Sequence, residues 1–294
     1  MLPTFFLAGV PKAGTTSLHS YLGEHPNIFM SEVKEPHHFS WEDDGWPRWA
    51  VREREAYEAL FDGAEPEQQR GESSTWTLYS ERAPSRIAQT LPDARFVILL
   101  RNPPDRAFSN WAFNFGRGYD SINTFEAALA AESSRVAKKG PWHHHYVRAG
   151  LYHDQLVRYI NHFSRDQMLV LLFEDLRADA VSVVECVYDF LGVDSSFRPN
   201  VVVAHNSTYV PRSRQLHNFL WRSNPVKLAL KRALPFGLST FFGKRLRQRN
   251  RKAPPSLSPE TRSCLNEIYR IDVAKLSELI GRDLSTVWLK ESSR

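Results

Sequence analysis

The stretch Phe5 to Ser20, FFLAGVPKAGTTSLHS, constrains the chain more than any other. Phe5 to Ala8 is a short apolar run and predicts a buried strand. Gly9 to Gly14 predicts a tight loop, and Thr15 onward a helix with Leu18, Tyr21 and Leu22 on its inner face. A strand, a glycine-bounded loop and a helix N-terminus together point backbone N–H groups and the helix dipole at one place, which suits a phosphate. Gly9 and Gly14 keep the glycine spacing of a Walker A loop, G-x-x-x-x-G-K-[ST]. Thr15 follows directly, however, and the lysine stands inside the loop, as Lys12. From there an ammonium reaches a group at the mouth of the loop, beyond the phosphate, while the hydroxyls of Thr15 and Thr16 can donate to the phosphate itself.

Three later segments carry groups that such a loop would use. Met30 to Phe39, MSEVKEPHHF, follows the turn signal at His25-Pro26-Asn27 and leads from a second strand over the loop. Transfer of a group to an alcohol needs a base, and Glu35 and His37 both qualify. Arg95 to Leu100 is five apolar residues behind an arginine, the pattern of a parallel strand buried on both faces. It runs into Arg101, and Pro103-Pro104 then opens a helix. Ser109 lies about two turns into that helix, so a guanidinium fork and a hydroxyl can hold one phosphate. The third segment, Met168 to Phe173, is an apolar strand ending in Glu174-Asp175. That ending is the pattern of a Walker B magnesium site, and it is the best support for a rival reading as a P-loop kinase or NTPase.

At PKAGTTSL the chain resembles the sulfotransferases that use 3′-phosphoadenosine 5′-phosphosulfate (PAPS), closest to the bacterial and carbohydrate group that includes the heparan sulfate enzymes. The resemblance runs over nearly the whole chain. It implies that Lys12, Ala13, Gly14, Thr15, Thr16 and Ser17 form the 5′-phosphosulfate loop. It implies that Arg101 and Ser109 bind the 3′-phosphate, and that Arg251 and Lys252, in a basic loop before the last helix, close on the nucleotide. Glu-x-His in the family supplies the catalytic glutamate, here Glu35, with His37 as its companion, and Lys12 stabilises the leaving phosphate. The strand–Glu-Asp-Leu segment occurs in the family without a metal, so no metal is expected. The heparan sulfate enzymes often carry lysine where this chain has Ser73, which argues against a heparan-type acceptor. The implied reaction moves a sulfuryl group from PAPS to a hydroxyl or amine of a carbohydrate, small molecule or natural product, leaving the 3′,5′-bisphosphate. A catalytically inactive PAPS-binding scaffold is the other alternative, and the joint presence of Lys12, Glu35, Arg101 and Ser109 argues against it.

The expected fold is α/β: a central parallel sheet flanked by helices around a P-loop-like core, with ligands at the carboxyl ends of the strands. The 294 residues suit a single domain over 1–294 with a lid at 205–258. The formal net charge of +5 favours anionic ligands without indicating nucleic acid. Its excess is concentrated between Lys227 and Lys252. Two cysteines, Cys186 and Cys264, argue against a disulfide framework and fit a reducing compartment. Phe5 to Val10 is too short and lacks the basic flank of a leader, and no run reaches the length of a membrane span. A cytoplasmic enzyme is therefore expected. Trp142-His-His-His145 lacks matching ligand spacing and is expected to line an acceptor pocket rather than bind metal.

Overall fold

The computed structural model describes residues 1–41, 47–201, 210–213, 245–246, 248–253 and 255–289. The expected lid at 205–258 and the basic run from Lys227 fall largely outside them. Within the chain two compact units are distinguished. One comprises Met1–Arg106, Val147–Asn206 and Arg262–Arg294, the other Ala107–Tyr146 and Ser207–Thr261.

The first unit is built on five parallel strands: β1 (Phe5–Leu7), β2 (Ile28–Met30), β3 (Gln69–Glu72), β4 (Arg95–Leu100) and β5 (Met168–Leu172), in the order β2-β3-β1-β4-β5. Phe5 pairs with Gly71 on one side and with Arg95 on the other, so β1 is the central strand. The chain adds β2 and β3 on one side of β1, then crosses to add β4 and β5 on the other. The carboxyl end of β1 is thus a topological switch point, where a crevice opens between neighbouring crossovers. Phe96 to Leu100 are all buried, as an inner parallel strand requires. The Phe6 ring stacks on Phe96 at 5.5 Å and meets Phe39 edge-on at 5.7 Å. Phe163 and Tyr159 close the other side of Phe96.

Helices cover the sheet. They include α1 (Thr15–Leu22), α2 (Arg54–Glu58), α3 (Ala83–Thr90) and, after β4, α4 (Pro103–Arg117), which continues into the second unit. Asn102 starts α4: its side-chain oxygen accepts from Asp105 N–H at 3.2 Å and its carbonyl from Arg106 N–H at 2.9 Å. In the second unit, α5 (Phe125–Ala137) begins with Thr124 accepting from Ala127 N–H. Asp120 is the polar centre there. It takes a forked pair from Arg135 at 2.7 and 2.8 Å and a hydrogen bond from Tyr146 at 2.7 Å. Burial pushes its carboxyl up, but these donors outweigh burial and bring it to about 2.

Back in the first unit comes α6 (His153–Ile160). Asp272 accepts from both Tyr152 and His153 N–H, at 2.9 and 3.2 Å, and so sets the start of the helix from a distant part of the chain. After β5 come α7 (Phe173–Ala178) and α8 (Ala180–Leu191). Phe173 opens α7 instead of extending the strand as expected. Gly192 ends α8 in the left-handed region at φ 74°. Two short antiparallel strands, β6 (Val210–Pro211) and β7 (Arg251–Lys252), precede α9 (Pro259–Ile280) and α10 (Ser285–Trp288). Leu265, Tyr269, Val273 and Leu276 form the buried stripe of α9, at helical spacing. No described helix is long and apolar enough to cross a membrane.

Gly9 allows β1 to run against β4. A Cβ at this position would stand 2.7 Å from the Leu99 nitrogen and 2.8 Å from its oxygen, and backbone atoms cannot step aside. Gly9→Ala is therefore expected to lower stability by about 1–3 kcal/mol through overpacking. Urea unfolding followed by circular dichroism measures this as a lower midpoint.

Candidate active site

The loop after β1 is held from two sides. Ala8 and Val10 N–H donate to the carbonyls of Val97 and Leu99, each at 3.0 Å, extending the sheet pairing past the strand. Ala13 N–H then turns back to the Val10 carbonyl at 3.3 Å. Gly14 sits at φ 90° as the N-cap of α1 and offers no side-chain cap to the first turn. An uncapped first turn leaves backbone N–H groups directed at the loop, with the positive end of the helix dipole behind them. A Cβ on Gly14 would also press on Phe173 and Leu176 at 3.1 Å. Ala13 and Thr15 are buried, while Lys12, Thr16 and Ser17 are partly exposed.

Arg101 braces this loop from the end of β4. Its Nη1 donates to the Lys12 carbonyl at 2.7 Å, and its guanidinium lies over the Phe173 ring at 4.6 Å. The Arg101 carbonyl in turn accepts from the Tyr152 hydroxyl at 2.9 Å. Burial lowers the Arg101 pKa, opposed by the nearby carboxylates of Asp105 and Glu174. A guanidinium carries five N–H donors, so one bond to the loop does not exhaust it.

The segment after β2 follows the end of β3. Ser31 N–H bonds to the Gly71 carbonyl at 2.8 Å, Glu35 N–H to the Ser73 carbonyl at 2.9 Å, and His37 N–H to Ser74 Oγ at 2.9 Å. Ser74 is thus a backbone anchor. Glu35 and His37 have φ of 64° and 55°, and Lys12 has 73°. These are three of the four non-glycine residues with positive φ among the described residues, the fourth being Lys139. Each such residue stores roughly 1–3 kcal/mol of backbone strain, which persists only where neighbouring contacts hold it.

The two oxygens of the Glu35 carboxylate face different neighbours. Lys34 Nζ donates to Oε1 at 2.8 Å, and His37 Nε2 lies 3.5 Å from Oε2. Burial pushes the carboxyl up, but the His37 hydrogen bond and the Lys34 charge overcome it and bring it down to about 2. The His37 ring is fully buried, with Nδ1 3.2 Å from Ser40 Oγ. Behind it Glu72, at the end of β3, accepts from the Tyr57 hydroxyl at 2.7 Å, and burial raises its carboxyl. His19 of α1 lies within electrostatic reach of Lys34 and Glu35; burial and then the Lys34 charge pull it down to about 4. The ends of β1, β2, β3 and β4 therefore bring Lys12, Glu35, His37 and Arg101 into one unit. Lys34, Ser74 and Glu72 are the supporting groups whose contacts the sequence did not disclose.

The other expected residues belong to the second unit. Ser109 is buried on the part of α4 that belongs to the second unit. Arg251 and Lys252 form β7 in that same unit, with Lys252 exposed. His143 and His144 are there too, and burial lowers both, His143 to about 3. Among the described residues no three His, Cys, Asp or Glu side chains are grouped to hold a metal ion. Glu174, the acid at the end of the Walker B-like strand, accepts from Asn102 N–H at 3.0 Å and from the Trp288 indole at 3.1 Å. Asp175 pairs with Arg282.

A family model described as a sulfotransferase domain matches residues 2–226, and the chain belongs to that family. Among solved structures it is similar to a sulfotransferase from Alicyclobacillus acidocaldarius, with 29% identity and a TM-score of 0.77, covering 99% of this chain and 100% of that one. Among curated proteins it is 28% identical to the bifunctional heparan sulfate N-deacetylase/N-sulfotransferase 1 of Xenopus laevis, over 98% of this chain and 31% of that protein. It is 25% identical to the heparan sulfate glucosamine 3-O-sulfotransferase 3A1 of Mus musculus, over 96% of this chain and 64% of that protein. The chain thus spans less than a third of the length of the first of these relatives. The five-stranded parallel sheet with its P-loop-like turn is the fold expected from the sequence.

The low Glu35 pKa has a consequence for stability. A depressed folded-state value stabilises the fold above the unfolded value of 4.5, and that contribution is lost as the pH falls toward about 2. The stability difference between the native chain and Glu35→Gln is expected to shrink across this window. Urea titrations at a series of pH values from about 5 down to about 3 would show it, and a difference independent of pH would contradict the ion pair.

Proposed function

We propose that the chain transfers the sulfuryl group of PAPS to a hydroxyl or amine of a carbohydrate or small-molecule acceptor. The observation that carries this reading is the joint strain of Lys12, Glu35 and His37 beyond the carboxyl ends of β1 and β2, the two strands that flank β3. A strained lysine inside a phosphate loop and a strained, ion-paired carboxylate from the next strand supply what an in-line displacement needs on its two sides.

In this reading the N–H groups around Ala13 and Gly14 and the hydroxyls of Thr15, Thr16 and Ser17 hold the 5′-phosphate. Lys12 neutralises the charge that grows on the bridging oxygen as the sulfur–oxygen bond breaks. Arg101 carries the 3′-phosphate by a charge-assisted fork. Ser109, Arg251 and Lys252 remain proposed nucleotide contacts on the resemblance alone. Glu35 takes the acceptor proton, with His37 holding its second oxygen. Metal-free transfer is part of the proposal, since Lys12 and the loop can neutralise one leaving phosphate. The kinase alternative is weakened by Glu174, whose two oxygens are engaged by Asn102 and Trp288.

For the acceptor, both curated relatives bear heparan sulfate in their names, which supports trying glycans first. Trp49 also supports a ring-bearing acceptor: it is 59% exposed and its ring centroid lies 6.1 Å from that of His37. Ser73, in place of the lysine common in heparan sulfate enzymes, favours a different glycan. Two free, exposed cysteines, Cys186 and Cys264, support a reducing compartment such as the cytoplasm.

The reading is tested by titrating 3′-phosphoadenosine 5′-phosphate in a calorimeter, with Mg-ATP as the competitor. The bisphosphate should bind and Mg-ATP should not displace it. Arg101→Ala is expected to weaken that binding by about 2–5 kcal/mol, and unchanged affinity would remove Arg101 from the nucleotide site. With radiolabelled PAPS and a panel of glycan acceptors, Lys12→Ala should lower kcat about 10²-fold, more than it raises KM. Glu35→Gln should bind nucleotide normally and lose roughly 10²–10⁴-fold in kcat. If instead Glu35→Gln keeps its turnover and His37→Asn abolishes it, the histidine is the base.

A further inference from the structure

A base that takes a proton must first offer a lone pair to the group that carries it, at about 2.6–3.2 Å. In this chain the two oxygens of Glu35 stand differently: Oε1 accepts from the Lys34 ammonium at 2.8 Å, and Oε2 faces His37 at 3.5 Å. The two partners differ in how easily they leave. His37 is fully buried, its backbone N–H is tied to Ser74 Oγ, and its other ring nitrogen is beside Ser40 Oγ. Lys34 is 26% exposed and hangs on a flexible four-carbon stem. Of the two oxygens, Oε1 is therefore the one whose neighbour can swing away, and while Lys34 stays its charge holds down the basicity of the whole carboxylate.

We propose that Lys34 is a positioning residue that latches Oε1 of Glu35 and so denies it to water, yielding it only to an acceptor bound through further contacts. The proposal rests on Glu35 being the base. Its chemical sense lies in the donor. Water could attack the sulfur of PAPS, give its proton to Glu35 and break the sulfur–oxygen bond to the 5′-phosphate, leaving sulfate and the 3′,5′-bisphosphate. A single water gains too little from one hydrogen bond to displace a charge-assisted pair in a partly buried site. An acceptor that also packs against neighbouring side chains gains enough. The pair also suppresses basicity while it lasts, since Lys34 and His37 draw the carboxyl down against burial, and Glu72 opposes them only from a distance. His19, on the phosphate-loop helix, is a further titratable group in reach among the described residues and is lowered by burial and by Lys34.

The first arm of the test needs no acceptor; the control arm uses the same glycan acceptor panel. Radiolabelled PAPS is incubated with the full chain alone, and released sulfate is counted for the native protein, Lys34→Met, Lys34→Gln and Lys34→Arg. Removing a neighbouring opposite charge moves a carboxylate by about one to three pH units, so the Met and Gln variants should hydrolyse PAPS about tenfold faster or more. Lys34→Arg should restore the low rate, and adding Glu35→Gln to Lys34→Met should abolish the gain. In parallel, the Glu35 carboxyl is followed by carbon-13 NMR, assigned by its loss in Glu35→Gln. Its midpoint should rise by about one unit or more in Lys34→Met and stay low in Lys34→Arg. Hydrolysis that is unchanged or slower in both Lys34→Met and Lys34→Gln overturns the latch. If Glu35→Gln has lost acceptor turnover in the same preparations, Glu35 remains the base and only the latch fails. If Glu35→Gln is fully active, the base assignment fails and the latch falls with it.

Discussion

The site depends on how closely the backbone leaving β1 approaches β4. At Gly9 there is no room for a side chain between the loop and the Leu99 backbone. That approach lets Val10 N–H reach the Leu99 carbonyl and carries the sheet pairing into the loop. It also brings the Lys12 carbonyl to Arg101. A lysine with φ of 73° would relax in a free loop; here the hydrogen bond from Arg101 holds its carbonyl. The residue proposed for the 3′-phosphate thus also shapes the loop proposed for the 5′-phosphate, and the two ends of the nucleotide site are mechanically linked.

The second strained segment is stabilised in the same way, by the end of a neighbouring strand. Glu35 and His37 take their left-handed conformations while their N–H groups bond to Ser73 and Ser74, just past β3. Under them lies a buried polar layer of Glu72, Tyr57, Ser74 and His37. The hydrogen bonds in this layer are costly to break, because losing one partner leaves another polar group unpaired away from water. That resistance on the His37 side and freedom on the Lys34 side make the two oxygens of Glu35 unequal.

The acid pair after β5 has a structural part in this architecture. Glu174 receives the Asn102 N–H at the start of α4 and the Trp288 indole of α10, while Asn102 donates from its side chain to the Trp288 carbonyl at 2.7 Å. Asp175 pairs with Arg282 in the turn before α10. A pattern that in an NTPase would face a metal here fastens the last segment of the first unit to the ends of β4 and β5.

Much of the fold was legible because its signals are local. The apolar run before Gly9, the five apolar residues after Arg95, Gly192 as a helix stop and the stripe of α9 each follow from period or backbone permissiveness within a few residues. The PKAGTT loop and the Glu-x-His segment likewise marked the residues that the first unit brings together. What the sequence did not show depends on partners distant in the chain. Asp272 sets the start of α6 from some 120 positions away. Ser74 anchors His37, and Trp288 occupies Glu174. The chain by itself determined which chemical groups follow its apolar strands, because strand runs and loop motifs are written in contiguous residues. Only the tertiary structure decided which of those groups are strained, which oxygens are engaged and which side chain can yield, because these depend on hydrogen bonds between segments that the sequence keeps far apart.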